Sequence, residues 1–196
     1  GSSPRCAVRD AVVSSCVTAM ASRFYVLQVM TGEEPRFLEL ARGSIERQHI
    51  ADLRLWWPRR KLTIRRRGRR KSALAPLFPG YVIVEAQEID REVFGVLRGC
   101  NGFVRFLKDN RNIQPLADRD LDLVRHFLSF GEVVEKSKVT FDVNNRIVVE
   151  QGPLKGLEGR IVKVDKRKGR AKVQLDLYDD SFLIDLGFDQ IEGASR

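Results

Sequence analysis

The chain has 196 residues, 43% of them hydrophobic and 31% charged, which is enough for one medium domain or two small ones with real cores. No apolar run approaches the roughly 18 residues that a membrane helix needs, so a membrane-spanning protein is not expected. The net charge of +9 points to an anionic partner.

That charge is a local device. Residues 1–128 hold 23 basic and 14 acidic side chains, whereas residues 129–196 hold 12 of each. The stretch 59–71, RRKLTIRRRGRRK, carries +9 by itself, and nothing acidic lies between residues 53 and 84. Cys6, Cys16 and Cys100 are scattered and odd in number, without metal-type spacing, which suits a reduced, cytoplasmic protein. Residues 1–21 read as a tag or disordered extension ahead of a start at Met20. The signal-peptide reading is the weaker one, because Asp10 and serines dilute the apolar part.

Arg23 to Met30 is rich in aromatic and β-branched residues and predicts a strand, ended by Thr31-Gly32. Glu33 to Ile50 predicts an amphipathic helix with Phe37, Leu38, Ala41, Ile45 and His49 on one face. Leu53 to Trp57 predicts a second strand, stopped by Pro58. Residues 59–75 then predict a β-hairpin arm turning at Arg67-Gly68. Tyr81 to Ala86 and Phe103 to Leu107 predict strands, and Asp90 to Leu97 a short helix. Asp118 to Phe130 predicts a last helix, capped by Asp118, with Leu121, Val124, Phe127 and Leu128 on one face.

The composition shifts at 131–140, which reads as a short polar linker. Beyond it the hydrophobic period becomes two, broken by Gly152-Pro153, Gly156, Gly159 and Lys168-Gly169. Short strands with glycine corners predict a small antiparallel barrel. The expected fold class is α+β: an α/β sandwich over residues 22–130, followed by a barrel over residues 141–192.

RFYVLQVMTG, LFPGYVIVE, GFVRFL and GPLKGLEGRIVKVD stand in the order found in the NusG transcription factors. The chain resembles that family over about residues 23–192. The resemblance implies an NGN domain followed by an SH3-like KOW barrel, with the hallmark KOW glycine at Gly156. Three departures stand out. Phe24-Tyr25 replaces the usual Trp-Tyr, Gly152-Pro153-Leu154 replaces Gly-Pro-Phe, and Arg59-Arg60 stands where housekeeping members are often acidic. Ala75-Pro76-Leu77-Phe78-Pro79 resembles the specialised paralogs of the family, such as RfaH and LoaP, which antiterminate particular long operons.

The resemblance implies a polymerase-binding patch that docks on the clamp helices of RNA polymerase, drawn from Phe24, Tyr25, Phe78, Tyr81 and Val82. Alternation along the two strands leaves at least two of these five to the core. Nucleic-acid backbone is the expected partner of Arg59, Arg60, Lys61, Arg65, Arg66, Arg67, Arg69, Arg70 and Lys71, because phosphate contacts position a protein without reading sequence. Lys163, Lys166, Arg167, Lys168, Arg170 and Lys172 flank one predicted turn of the barrel. They read either as a balanced polar turn or as an RNA contact, and the resemblance adds a ribosomal protein as a partner for the barrel.

No phosphate-binding loop, zinc-protease motif or nucleophile elbow is present. His49 and His126 each fall on a predicted helix, and Asp118, Asp120 and Asp122, spaced by two, do not share a helical face. The expectation is therefore a monomeric, non-enzymatic factor with no cofactor and no metal. It would bind RNA polymerase and DNA or nascent RNA and promote processive elongation on particular operons. The alternatives are a housekeeping factor acting on most genes and a ribosome-associated RNA-binding protein.

Overall fold

The computed structural model describes residues 22–178 and 180–191. The expected extension at 1–21 and the last residue of the expected barrel lie outside these. The elements of the first domain are β1 (Arg23–Val29), α1 (Glu34–Arg47), β2 (Arg54–Trp56), β3 (Arg59–Arg66), β4 (Arg69–Pro76), β5 (Tyr81–Ala86), α2 (Arg91–Arg98), β6 (Phe103–Phe106) and α3 (Asp118–Leu128). Four strands make an antiparallel sheet in the order β2-β5-β1-β6.

Period-two alternation sends the side chains of β1 and β5 to opposite faces. Tyr25, Leu27 and Val29, with Val82, Val84 and Ala86, pack on Phe37, Leu38 and Ala41 of α1 and on Val93 and Leu97 of α2. Val26 and Ile83 point the other way, toward Leu107, Leu116 and Val124. The helices differ from expectation at their ends. His49 is not on α1: it sits in the closing turn at φ 53, with its N–H on the Glu46 carbonyl. Asp118 lies inside α3 at φ 47 and caps nothing, while Asp90 caps α2 by accepting from the Val93 N–H at 2.8 Å.

Glu34 is 2% exposed and clamps two turns together. Its carboxylate accepts from the N–H groups of Gly32 at 2.7 Å and Gly80 at 2.8 Å. Gly80 is required twice over. Its φ is +80, and a Cβ there would lie 2.7 Å from the Thr31 hydroxyl oxygen.

β3 and β4 form the expected arm, turned at Arg67 (φ 50) and Gly68 (φ 76). Residues 131–140 are not a free linker. Val133–Val134 forms β7, which runs parallel to β3 with Arg59 opposite Val133 and Arg60 opposite Val134. β8 (Ser137–Phe141) already belongs to the second domain, followed by β9 (Ile147–Gln151), β10 (Ile161–Asp165), β11 (Arg170–Leu177) and β12 (Asp180–Gln190). Their order is β10-β11-β12-β8-β9, antiparallel except for the β12–β8 pair. Gly152 (φ +107) closes one corner, where a Cβ would stand 2.7 Å from Ser137 Cα and disturb the Ser137 hydroxyl that accepts from the Leu154 N–H at 2.9 Å.

Candidate functional site

The five apolar candidates divide between the two faces of the first sheet. Tyr25 and Val82 belong to the core against α1 and α2. Phe24, Phe78 and Tyr81 lie on the opposite side with Val26, Trp56 and Ile83. Period-two alternation contained this division, since Phe24 and Tyr25, like Tyr81 and Val82, are neighbours in a strand.

The barrel covers that side. Leu177, at the end of β11, is fully buried among Val26, Ile83, Leu107, Leu116 and Val124 of the first domain. Phe182, on β12, meets Phe78 edge-on at 6.0 Å between ring centroids and Tyr81 at 5.3 Å. Such aromatic pairs each contribute about 0.5–1.5 kcal/mol beyond their burial. Phe78 also meets Phe127 of α3 at 6.1 Å, and both join a core with Leu154, Leu175, Ile184 and Leu186 of the barrel.

Polar contacts frame this apolar seam. The Tyr178 N–H donates to the Asp120 carboxylate at 3.0 Å and the Tyr178 hydroxyl to the Gln114 carbonyl at 2.8 Å. Burial, with a smaller push from Asp120, raises the Tyr178 pKa well above the ordinary tyrosine value. Burial also raises that of Tyr81, aided by Asp180. The His126 ring lies 2.8 Å from the Pro153 carbonyl, which ties α3 to the corner that follows Gly152.

The basic arm has two parts. At its base, Arg59 reaches Glu132 at 3.9 Å and its guanidinium stands 5.3 Å from the Trp57 ring, while Lys61 pairs with Glu135 at 3.1 Å. The Arg60 guanidinium donates to the carbonyls of Pro76 and Leu77. Burial lowers the Arg60 pKa, with Asp185 opposing the shift and Arg170 adding to it. These three expected phosphate ligands are thus engaged within the protein. The far part, residues 65–72, is exposed and carries Arg65, Arg66, Arg67, Arg69, Arg70 and Lys71.

The barrel cations also divide. Arg170 donates to the Thr63 carbonyl of the arm at 2.9 Å and lies 4.0 Å from Asp185. Close approach of the arm demands Gly187, where a Cβ would be 2.7 Å from the Lys61 carbonyl oxygen. Lys166 sits 3.6 Å above the centre of the Phe141 ring and bonds Asn145. Lys168 pairs with Asp165, whose own pKa is lowered first by the Lys168 N–H that it accepts. Lys163 and Arg167 are exposed, and Lys172 is half-buried. Among the described residues, no group of three or more His, Cys, Asp or Glu is placed to hold a metal, and no helix is long and apolar enough to cross a membrane.

Residues 22–125 match the family described as "Transcription termination factor nusG". The "Transcription termination/antitermination protein NusG" of Buchnera aphidicola is 28% identical over 178 residues, spanning 87% of this chain and 95% of the relative. The protein of the same description from Escherichia coli strain K12 is 28% identical over 181 residues, spanning 90% and 98%. A solved structure titled "Domain interaction in Thermotoga maritima NusG" matches with a TM-score of 0.57 at 23% identity, over 86% of this chain and 95% of that one. At that identity the likeness speaks for the fold alone.

Proposed function

The chain belongs to the NusG family and is a NusG-type transcription factor, and on that premise we propose that it binds RNA polymerase through its first domain and promotes processive elongation on particular long operons. The observation that carries this reading is the apolar face of Phe24, Trp56, Phe78, Tyr81 and Ile83. Three of its members, Phe24, Phe78 and Tyr81, are among the five residues that the family resemblance assigns to polymerase docking, and Trp56 and Ile83 pack beside them. The barrel covers it through a seam rimmed by single polar contacts, so the face has the make-up of an interface: apolar at the centre and polar at the edge. Tyr25 and Val82 are left out of the patch, because they hold α1 and α2 to the sheet.

Polymerase and barrel would compete for this face, so binding requires the barrel to leave. A ligand that binds only the open form shifts the population toward it by its differential affinity. The bound factor would then disfavour the opened, paused polymerase. Specialisation is supported by Arg59-Arg60 and by the Ala75 to Pro79 sequence.

A map of the protein's positions along transcribed genes tests the reading. Occupancy confined to a few long operons, with polymerase co-purifying, supports it. Occupancy of nearly all genes replaces it with the housekeeping role, and co-purification with ribosomes alone rejects it.

A further inference from the structure

The arm carries a second, more specific message in the way its cations are distributed. Opposite residues of the hairpin share a face and successive pairs alternate. Arg66 stands opposite Arg69, and Arg65 opposite Arg70. Arg66, Arg69 and Lys71 therefore lie on one face, and Arg65 and Arg70 on the other. Arg66, Arg67, Arg69 and Lys71 line a cleft of about 530 Å³ without a carboxylate or an aromatic ring. Among the described residues, none of the six exposed cations of the arm is in an ion pair.

A ribbon with cations on both faces calls for phosphates on both sides. No aromatic residue occurs between Trp57 and Phe78, so the arm lacks the base-stacking platform, roughly 1–3 kcal/mol per base, on which single-strand binders rely. A groove of duplex DNA supplies two phosphate walls. From the Ile64–Lys71 pair to the turn, three residues at about 3.4 Å each reach about 10 Å. The B-form major groove is about 8.5 Å deep and about 12 Å wide and admits a two-stranded ribbon. Regular A-form RNA has a major groove too narrow for side chains to read. The base of the ribbon is already held by Glu135 on Lys61 and by Arg170 on the Thr63 carbonyl, so its backbone is fixed there before binding and the ordering that remains is that of the exposed side chains.

We infer that the arm inserts into the major groove of B-form duplex DNA, with Arg65 and Arg70 on one phosphate wall and Arg66, Arg69 and Lys71 on the other. This rests on the expectation from the sequence that the arm contacts nucleic-acid backbone, and specifies its partner. The test measures the affinity of the full chain for a duplex DNA of about 20 base pairs, the RNA duplex of the same sequence and the single DNA strand, across a salt series. Duplex DNA should bind roughly tenfold more tightly than either alternative. The double variants Arg65→Ala/Arg70→Ala and Arg66→Ala/Arg69→Ala should each weaken duplex binding and flatten its log–log salt slope by about 0.9 per lost phosphate, so about 1.8 each. Equal or tighter binding of RNA duplex or single strand, or an effect from one face only, overturns the insertion while leaving the arm as a nucleic-acid contact. If neither double variant changes binding to any of the three, the contact itself falls as well.

Discussion

The ring of Phe182 on the barrel stands edge-on to the ring of Tyr81 on the first sheet, 5.3 Å between centroids and 86° between planes. The two residues are about a hundred positions apart and belong to different domains, yet each shields part of the other from solvent, both remaining half-buried. The seam around them is a core shared by the two domains, with Leu77, Phe78, Leu123 and Phe127 of the first packed with Leu154, Leu175, Ile184 and Leu186 of the barrel. Docking and folding are therefore expected to be coupled.

Leu177 separates the two. Its fully buried neighbours in that core are residues of the first domain, and Tyr178 and Phe182 of the barrel pack there only partly buried, so Leu177→Asp should undock the barrel and leave it folded. Heating the parent should give one cooperative transition, and heating the variant two. A single transition in the variant, unchanged in midpoint, would show that Leu177 does not hold the domains together.

Tyr178 makes docking sensitive to alkali. Its folded pKa is raised, so the folded state keeps a proton that the unfolded chain loses near pH 10. The stability it contributes is fully present below about pH 10 and is lost as pH rises toward the folded value. Denaturant midpoints should fall more steeply with pH in the parent than in Tyr178→Phe over that window. Parallel curves would remove Tyr178 as the source.

Glu34 satisfies two backbone N–H groups at once. Glu34→Ala leaves the Gly32 and Gly80 N–H groups without their acceptor, at about 1–3 kcal/mol for each unsatisfied group, so a loss of about 2–6 kcal/mol is expected in urea unfolding. A loss under about 0.5 kcal/mol, the scale of an ordinary surface change, would mean that the Pro79-Gly80 corner is held by other means.

The two parts of the arm should respond unequally. Arg60→Ala removes the donors to the Pro76 and Leu77 carbonyls and should cost about 1–3 kcal/mol. Arg67→Ala, at the exposed turn, should stay within about 0.5 kcal/mol. Equal stability effects at the two positions would contradict the division of the arm.

The sequence made some of this legible and hid the rest for identifiable reasons. Strand alternation and glycine corners are local signals, and they placed β1, β5, the arm and the barrel close to where they stand. The same alternation could have told Phe24 and Tyr81 from Tyr25 and Val82. The two residues of β7 are too few to show a period, so Val133-Val134 read as linker although it extends the sheet of the arm. Asp118 read as a cap because Asp suits that position, but α3 begins at Asp118 itself, and it is Asp120 that holds the barrel turn through Tyr178. The Glu34–Gly80 and Phe78–Phe182 contacts join residues far apart in the chain, and nothing in a local pattern marks such pairs. Arg59, Arg60 and Lys61 share the composition of the exposed tip, and only the fold shows that Glu132, Glu135 and two carbonyls occupy them.

The central claim is that the Phe78–Tyr81 face binds polymerase once the barrel has left it. The most direct test measures the affinity of purified RNA polymerase for the full chain, for Leu177→Asp, and for Leu177→Asp combined with Tyr81→Ala. Undocking should tighten binding, and the added Tyr81→Ala should weaken it again by about 2 kcal/mol, as truncation of a central interface aromatic commonly does. Contradiction would be an undocked variant that binds no more tightly than the parent, or a folded double variant that binds as tightly as the undocked one.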